Sequence, residues 1–440
     1  MNNITFKIQP SSTLHGEAQV PGDKSISHRV IMLGSLAKGI TQVRGFLAGE
    51  DCLATLHAFK EMGVTIEQLA ADQVNIQGVG LYGLQPPNKP LDLGNAGTAI
   101  RLLAGIMAAQ TFDSVLTGDE SLRKRPMARI MQPLSQMGAR ITAQTDGVPP
   151  LHIRGGQRLH GIRYNLPVAS AQVKSCLLLA GLYAEGETSI IEPAPTRDHT
   201  ERMLTTFSYP VRSYNRTISL EGGGELRGMM LEIPADISSA AFFMVGASIT
   251  PGSEVLLKQV GINPKRIGVI NILRLMGADI AFLNEKMLGA EPVADIQVRA
   301  APLHGIDIPL DQVPLAIDEF PVLFIAAACA KGTTVLRGAE ELRVKESDRI
   351  HTMVVGLKKL GIKARSQPDG IVINGGILTG GEVDSFGDHR IAMAFAMAGL
   401  VARDTITIFN CINVNTSFPN FVSLAKQLGM AIETSNLDKV

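Results

Sequence analysis

The stretch FKEMGVTIE, residues Phe59–Glu67, decides the fold because variants of it recur along the chain. Each variant reads as the end of a helix, a Gly suited to a left-handed helix cap, and then a strand. The interval between the second and third clear copies is about twice the others, which predicts a sixth, degraded copy at Arg202–Tyr214. The clear copies are FKEMGVTIE (Phe59–Glu67), LSQMGARIT (Leu134–Thr142), LRLMGADIA (Leu273–Ala281), LKKLGIKAR (Leu357–Arg365) and AKQLGMAIE (Ala425–Glu433).

An apolar helix followed by a small-residue turn and a strand precedes each of these copies. One example is EFPVLFIAAACAKGTTVLRG, which begins at Glu319. The unit therefore reads strand, buried helix, strand, amphipathic helix, strand, over about 70 residues. Because such apolar helices need cover on all sides, we predict an α/β protein with two closed domains of three units each, divided near residues 234–240. A solenoid of six stacked units is the alternative.

Composition and charge exclude several classes of protein. The 440 residues are enough for two large domains, and 45% hydrophobic with 19% charged residues is typical of a globular protein. A formal net charge of zero favours neither nucleic acid nor a membrane surface as a partner. The N-terminus lacks a signal-peptide pattern, and the apolar runs Phe320–Ala330 and Ile391–Ala402 are too short to span a bilayer. We therefore expect a soluble, cytoplasmic protein.

The Cys and His residues give no sign of a metal site. No CxxC pair and no HExxH cluster occurs, so we expect reduced, buried thiols, no metal and no other cofactor. No GxxxxGK[ST] or GxGxxG motif precedes a helix, which argues against a nucleotide-binding fold. The four cysteines are Cys52, Cys176, Cys329 and Cys411.

The starts of the buried helices carry charge that capping alone does not explain. Asp and Ser at a helix start are ordinary caps, and this interpretation is favoured over function for Asp236 and Ser238. Cations at such a position oppose the helix dipole, unless an anion lies there and is held by both the free N–H groups and the cations. The residues that suggest such anion sites are Lys24, Arg29, Arg101, Gln172 and Arg390.

The loops before the amphipathic helices add further cations. A solvated helix face is the ordinary interpretation of RVKESDR (Arg343–Arg349), but equivalent loops elsewhere also gather cations. This recurrence predicts a cleft between the two domains that binds phosphate and carboxylate groups. Asp318 and Glu346 occupy the same places and suit proton transfer rather than anion binding. The other loop cations are Arg123, Lys124, Arg125 and Arg197.

Seven motifs, in order and in both halves of the chain, resemble those of the EPSP synthase family, the 3-phosphoshikimate 1-carboxyvinyltransferases. GDKS, SAQVK and RDHTE are similar to the bacterial class II subgroup. Two departures are Thr416, where plant-type members have Lys, and NRTI (Asn215–Ile218), which matches the class II NxTR motif only loosely. The seven motifs are PGDKSISHR (Pro21–Arg29), LGNAGTAIR (Leu93–Arg101), SLRKRPM (Ser121–Met127), SAQVK (Ser170–Lys174), RDHTE (Arg197–Glu201), RVKESDR (Arg343–Arg349) and GDHRIAMA (Gly387–Ala394).

The resemblance implies an inside-out α/β barrel in each of two domains, each built from three βαβαββ repeats. One domain would comprise residues 24–239. The other would comprise residues 1–23 and 240–440, so that the strand Ile4–Ile8 joins the second half. It also implies that the domains close over the substrates, and we expect a monomer.

The implied reaction transfers the enolpyruvyl group of phosphoenolpyruvate to the 5-hydroxyl of 3-phosphoshikimate and releases phosphate. This is the sixth step of the shikimate pathway to chorismate and aromatic amino acids. By resemblance, Asp318 accepts the hydroxyl proton, and Glu346 with Lys24 acts at the methylene carbon and the departing phosphate. The implied 3-phosphoshikimate site is Lys24, Ser25, Arg29, Ser170, Ala171, Gln172, Arg197, Asp318 and Lys345. The implied phosphoenolpyruvate site is Lys24, Gly97, Arg125, Gln172, Arg349 and Arg390.

Two other functions remain as alternatives. One is enolpyruvyl transfer to a UDP-sugar, although SLRKRPM lacks the loop Cys that is typical of that enzyme. The other is a non-catalytic anion-binding module, which would require the loss of an acid or base that this chain retains.

Gly97 leaves room beside the implied phosphoenolpyruvate site, so we also expect inhibition by glyphosate.

Overall fold

The computed structural model describes residues 3–10 and 13–437, and the chain divides into two compact units. The N-half unit is Gly22–Ile233 with Leu288–Ala290. The C-half unit contains the chain up to Pro21, Pro234–Met287 and the chain from Glu291 onward. The first residues and the last three of the predicted second domain, 1–2 and 438–440, and the pair 11–12 lie outside the described part. Two closed units, rather than a solenoid, are therefore present.

The elements alternate as the repeat predicts. Up to Ile233 they are β1 Asn3–Ile8, β2 His15–Ala18, α1 Lys24–Leu36, β3 Lys38–Arg44, α2 Glu50–Glu61, β4 Thr65–Ala70, β5 Gln73–Val79, β6 Leu91–Asp92, α3 Gly97–Met107, β7 Ser114–Thr117, α4 Ala128–Gln136, β8 Arg140–Thr142, β9 Leu151–Arg154, β10 Arg163–Asn165, α5 Ala171–Gly181, β11 Glu187–Ile191, α6 His199–Thr206, β12 Arg212–Tyr214, β13 Thr217–Glu221 and β14 Met230–Glu232. After it they are α7 Ile237–Ile249, β15 Glu254–Gly261, α8 Gly268–Leu275, β16 Asp279–Leu288, β17 Glu291–Arg299, α9 Phe320–Cys329, β18 Thr333–Leu336, α10 Arg349–Lys359, β19 Lys363–Gln367, β20 Gly370–Asn374, β21 Gly381–Asp384, α11 His389–Gly399, β22 Ile406–Phe409, α12 Phe421–Gln427 and β23 Ile432–Leu437.

Each unit contains three small sheets with one shared pattern, a parallel pair extended by antiparallel strands. In the N-half unit the strand orders are β14-β3-β5-β4, β6-β7-β9-β8 and β10-β11-β13-β12. In the C-half unit they are β16-β17-β15-β2, β18-β20-β19 and β21-β22-β1-β23. The three-stranded sheet has a single parallel bridge, Asp307 to Val335, in place of its fourth strand. The repeat is thus βαβαββ.

Strands exchanged between distant parts of the chain complete three of these sheets. Strand β14 pairs in parallel with β3, at the beginning of the N-half unit. Strand β2 pairs in parallel with β15, and β1 lies between β22 and β23 in antiparallel register. The predicted strand Ile4–Ile8 is therefore confirmed as part of the second half. Because β2 and β14 each precede a helix of the other unit, and Leu288–Ala290 belong to the N-half unit, the chain passes between the units four times.

The first helix of every repeat is buried and the second is amphipathic, as the apolar pattern predicts. Helix α9 is buried from Phe320 to Ala328, and α11 is buried from His389 to Gly399 except for Arg390. In the C-half unit α7, α9 and α11 contact one another. In the N-half unit α3 contacts both α1 and α5. Enclosing these helices in sheets buries their apolar surface on all sides. Each Å² of buried apolar surface stabilises the fold by about 25 cal/mol. No helix of the described chain is long and apolar enough to cross a membrane.

The second helix of each repeat ends in the same hydrogen-bonded cap. Gly63 has φ of 86°, its N–H bonds the carbonyl of Lys60, and the N–H of Val64 bonds the carbonyl of Phe59. This pair of bonds is the Schellman motif, which requires a left-handed residue after the helix. The same pair recurs after Gly138, Gly277, Gly361 and Gly429, all with positive φ.

The degraded copy keeps this cap without Gly. Ser208 has φ of 66°, its N–H bonds the carbonyl of Thr205, and Tyr209 N–H bonds the carbonyl of Leu204. The predicted sixth copy is therefore confirmed, with a side chain in a conformation that usually favours Gly.

Replacing Ser208 with Gly should stabilise the N-half unit. The substitution removes the steric cost of a left-handed Ser, about 1 kcal/mol, and the larger entropy of Gly in the unfolded chain offsets part of it. We expect a gain of roughly 0.5 kcal/mol in the free energy of unfolding in urea.

The matched control is Gly361→Ser, at the equivalent cap of α10, which should destabilise by roughly the same amount. If Ser208→Gly lowered the free energy of unfolding, the cap would not be strained by its side chain.

Candidate active site

Helix α1 begins with a capped turn that holds a lysine. The Asp23 carboxylate accepts a hydrogen bond from the N–H of Ile26 at 2.9 Å. The Lys24 ammonium forms an ion pair with the buried carboxylate of Asp51, at the start of α2. Behind them, burial together with Lys24 and Arg29 lowers the pKa of His28 well below 6.5. Lys24 is therefore a partly exposed cation, and His28 is a neutral, buried base.

Arg29 lies one turn further and is fixed by neutral oxygens. Its Nε donates to Thr200 Oγ1 at 2.7 Å, and Nη2 donates to Ser175 Oγ at 2.8 Å. Nη1 donates to the carbonyl of Ser25 at 2.9 Å. Arg29 thus links the first turn of α1 to α5 and α6, and it also fixes the backbone of Ser25.

The start of α3 has no side-chain cap, and two guanidinium groups lie against it. A Cβ at Gly97 would come within 2.8 Å of Arg125 Nη1 and 3.1 Å of Arg101 Nη1. Arg125 Nη2 donates to Asn95 and, at 3.2 Å, to Ser121 Oγ. Gly97 is therefore the residue that lets Arg125 approach the helix start. Arg123 and Lys124, by contrast, are exposed, and Lys124 pairs with exposed Glu120.

The start of α5 is joined to the start of α3 through a glutamine. Ser170 caps α5 by accepting from the N–H of Val173 at 3.4 Å, and Ala171 is the first helical residue. Gln172 Oε1 accepts from Arg101 Nη1 at 2.9 Å, and Gln172 Nε2 donates to Thr98 Oγ1 at 3.1 Å. Arg101, a cation noted from its position alone, thus positions Gln172.

A buried ion triad lies behind α5, and the sequence analysis did not single out Lys174, although the SAQVK motif contains it. Lys174 has no solvent exposure, and its ammonium lies 2.9 Å from Glu192 and 2.7 Å from Glu201. Thr196 donates a short hydrogen bond to Glu192. These contacts hold the loop that carries half-buried Arg197 against α5. The position of Lys174 on the buried face of α5 was the only available indication.

In the C-half unit, the loops before α9 and α10 bring the two predicted proton-transfer residues together. Lys345 Nζ and Arg349 Nη1 each lie 3.6 Å from Asp318 Oδ1. Arg349 Nη2 donates to Glu346 Oε2 at 2.5 Å. Asp318 and Glu346 therefore share one guanidinium. Arg343, in the same motif, instead holds the loop through Asp348 at 2.6 Å.

Arg349 is compensated by a third carboxylate that was not predicted. Asp388 Oδ2 accepts from Arg349 Nε at 2.8 Å, while Asp388 Oδ1 caps α11 through the N–H of Arg390 at 2.9 Å. Burial alone would lower the pKa of Arg349, but Asp388, Glu346 and Asp318 outweigh it and raise the pKa above its ordinary value. The guanidinium stays charged in a buried position because three loops supply carboxylates.

The starts of α7 and α9 meet in a second buried network. Asp236 caps α7 by accepting from the N–H of Ser238 at 2.8 Å, as predicted. Ser238 Oγ accepts from Arg266 at 2.7 Å and donates a short bond to Glu319, next to Asp318. Neither Glu319 nor Arg266 was marked by any motif. Arg390, a predicted site residue, lies 3.8 Å from Glu319.

Other predictions about single residues have mixed outcomes. Cys52, Cys176 and Cys411 are free and buried, and burial raises the pKa of Cys176 to about 12. Cys329, the last residue of α9, is only partly buried. Thr416, at the departure from the plant-type pattern, is buried and donates to the carbonyl of Asn413 at 2.7 Å.

Each unit thus places cations and capped helix starts together, and the C-half unit adds two carboxylates on one arginine. Such an arrangement defines an enzyme of the two-unit α/β type that acts on small anionic substrates. A family model described as EPSP synthase (3-phosphoshikimate 1-carboxyvinyltransferase) matches residues 8–424. The chain belongs to this family, which confirms the resemblance.

Named relatives agree with the family assignment. A 3-phosphoshikimate 1-carboxyvinyltransferase of Methylococcus capsulatus is 61% identical, with 98% of this chain and 99% of the relative covered. That of Nitrosococcus oceani is 62% identical, with 98% and 97% covered. The solved EPSP synthase of Acinetobacter baumannii is 57% identical, has a TM-score of 0.88, and aligns over 98% of this chain and all of its own. The UDP-sugar alternative gains no support from these matches.

Replacing Lys174 with Met should strongly destabilise the N-half unit. The substitution leaves Glu192 and Glu201, both nearly unexposed, as uncompensated buried charges, and breaking a buried pair costs about 3–5 kcal/mol. Urea unfolding followed by circular dichroism measures the loss.

Adding Glu192→Gln to Lys174→Met should recover part of this stability, because one buried charge is removed. Lys124→Met, at an exposed pair, is the control and should change stability little. A loss from Lys174→Met no larger than this control would show that the triad is not charged.

Proposed function

We propose that this protein transfers the enolpyruvyl group of phosphoenolpyruvate to the 5-hydroxyl of 3-phosphoshikimate and releases phosphate, a step of the shikimate pathway. The names of its relatives support this activity. The observation that carries the proposal is the cluster in which Asp318 and Glu346 share Arg349, with Lys345 beside Asp318. Two carboxylates fixed on cations suit a reaction that needs one proton acceptor and one proton donor.

The chemistry requires opposite proton movements in two steps. In the addition step, the 5-hydroxyl loses its proton as its oxygen bonds to C2 of phosphoenolpyruvate, and the methylene carbon C3 gains a proton. In elimination, C3 returns a proton, the C2–O bond to phosphate breaks, and the enol ether forms. Acid and base must therefore be separate groups that can exchange roles.

The proposal assigns this proton transfer mainly to the C-half unit. Asp318 accepts the proton of the 5-hydroxyl, and Lys345 and Arg349, both 3.6 Å from it, keep its charge compensated in the resting enzyme. Glu346, with Lys24 of the N-half unit, serves the methylene carbon and the departing phosphate. Arg349 and Arg390 bind phosphoenolpyruvate.

The proposal assigns most of the anion binding to the N-half unit. The two substrates carry two phosphates and two carboxylates, which repel each other until cations neutralise them. Arg125, Gly97 and Gln172 contribute to the phosphoenolpyruvate site. Asn95 and Ser121 accept hydrogen bonds from Arg125. The residues proposed for 3-phosphoshikimate are Lys24, Ser25, Arg29, Ser170, Ala171, Gln172, Arg197, Asp318 and Lys345.

We further propose that a monomer in the cytoplasm carries out this reaction. The resemblance assigns every proposed site residue to a single chain, so the proposed reaction needs no second subunit. Four free cysteines, three of them buried, are consistent with a reducing compartment. Size-exclusion chromatography at enzyme concentrations used for kinetics tests whether the protein is a monomer.

Replacing Asp318 with Asn should lower kcat by about a hundredfold or more, because the amide cannot accept the hydroxyl proton. Phosphate release from phosphoenolpyruvate and 3-phosphoshikimate measures it. Asp311→Asn, an exposed neighbour in the same segment, is the matched control and should keep its kcat.

A near-normal kcat for Asp318→Asn would contradict the proposed role. Parallel assays with a UDP-sugar as acceptor test the substrate itself, and turnover with that acceptor alone would overturn the proposed function.

Replacing Gly97 with Ala should weaken phosphoenolpyruvate binding and inhibition by glyphosate together. The new Cβ would meet Arg125 Nη1 at 2.8 Å, so the guanidinium must move from the helix start. The loss of a charge-assisted hydrogen bond predicts a rise of about tenfold or more in the KM for phosphoenolpyruvate and in the glyphosate inhibition constant.

The KM for 3-phosphoshikimate should change much less, which serves as the internal control. Gly94→Ala, at a glycine with no atom near its hypothetical Cβ but a positive φ, controls for local backbone strain. Unchanged constants in Gly97→Ala would contradict a role for Arg125 in binding either anion.

A further inference from the structure

Glu319 is a carboxylate without solvent exposure that lies next to the proposed base Asp318. It stands at the N-cap position of α9, but it forms no capping hydrogen bond. A buried carboxylate is costly unless cations and hydrogen bonds compensate it, so its retention at this position calls for a role other than capping.

Three polar side chains lie close to a single oxygen atom of Glu319. Ser238 Oγ donates to Oε1, Arg266 Nη2 lies 3.4 Å from Oε1, and Arg390 Nη1 lies 3.8 Å from Oε1. Arg266 is itself almost fully buried, and it donates to Ser238 at 2.7 Å. Asp236 lies 3.7 Å from Arg266, so Arg266 has a carboxylate on either side.

The two arginines differ in their freedom to meet a ligand. Arg266 has 3% of its side chain exposed, whereas Arg390 has 13% exposed. Within the described chain, Glu319 is the charged residue that lies near the Arg390 side chain, and only Nη1 of Arg390 faces it. The 3.8 Å separation is an ion pair without a hydrogen bond, so the N–H donors of Arg390 are not consumed by Glu319.

We propose that Glu319, anchored by Arg266 and Ser238, is a positioning residue that holds Arg390 toward the anionic group of phosphoenolpyruvate. This inference rests on the proposed function, and it adds three residues to it. Glu319 attracts the guanidinium of Arg390 from one side. The remaining N–H donors of Arg390 stay available to the substrate. Arg266 and Ser238 fix the carboxylate, so the position of Arg390 is set before the substrate arrives.

The expected effect is specific to one substrate. Removing the charge of Glu319 leaves Arg390 free to sample other rotamers, so phosphoenolpyruvate must order it on binding. The affinity for 3-phosphoshikimate does not depend on Arg390 in the proposed assignment. A general loss of structure would instead weaken both substrates and lower kcat.

The test is steady-state kinetics of Glu319→Gln, which keeps the shape of the side chain and its hydrogen bond with Ser238. We expect the KM for phosphoenolpyruvate to rise about tenfold, with the KM for 3-phosphoshikimate and kcat changing less than about threefold. Ser238→Ala, which keeps every charge, should raise the same KM by a smaller factor.

A double-variant cycle shows whether the effect passes through Arg390. If Glu319 acts by positioning Arg390, then Glu319→Gln should add less than about twofold to the phosphoenolpyruvate KM of Arg390→Gln. Independent effects, which multiply in the double variant, would overturn the inference.

Asp295→Asn is the matched control, since Asp295 is a buried carboxylate of the same unit, paired with Lys258 at 2.7 Å. It should leave the KM for phosphoenolpyruvate unchanged. A phosphoenolpyruvate KM that falls, or that stays within twofold, in both Glu319→Gln and Ser238→Ala overturns the positioning role while wild-type turnover still upholds the proposed function. Absence of turnover in the wild type would overturn both.

Discussion

The buried charge of Arg349 is the constraint on which the catalytic part of the structure depends. One guanidinium with 1% exposure meets carboxylates from the loops before α9, α10 and α11. Leaving such a cation uncompensated would cost several kcal/mol, so the three loops cannot separate without a large penalty. The contact of both Asp318 and Glu346 with Arg349 is therefore a consequence of charge balance, and the proposed proton transfer uses an arrangement that stability already requires.

In the N-half unit, arginines near the helix starts donate hydrogen bonds to neutral side chains. Thr200 and Ser175 hold Arg29, and Gln172 holds Arg101. Such neutral partners fix a guanidinium by hydrogen bonds without cancelling its charge. The Lys174 triad shows the contrast, because there two glutamates compensate one lysine at a position with no exposure. The cations proposed for binding therefore have partners of both kinds, since carboxylates also lie beside Lys24, Arg349 and Arg390.

Much of the fold follows from the sequence because the repeat appears at the level of single residues. A Gly that must be left-handed marks the end of each outer helix, and only the degraded copy at Ser208 breaks this rule. Within the units, the structure brings together some of the predicted site residues, such as Gly97 with Arg125 and Asp318 with Lys345 and Arg349. Glu319, Arg266, Asp388 and Lys174 were missed because buried ion pairs join residues far apart in sequence, and no local pattern encodes such pairs. Arg123 and Lys124 show the reverse error, since a local run of charge cannot reveal which side chain turns inward.

The exchange of strands sets an order for biosynthesis. The N-half unit is nearly one continuous segment, so it can assemble once residues up to β14 have left the ribosome. Strand β1 must wait for β22 and β23, its two neighbours at the other end of the chain. Until then it is an unpaired edge, the kind of segment that aggregates or recruits chaperones. The sheet of β1, β22 and β23 is thus completed late in synthesis, and β1 stays without its neighbours while the residues up to β22 are made.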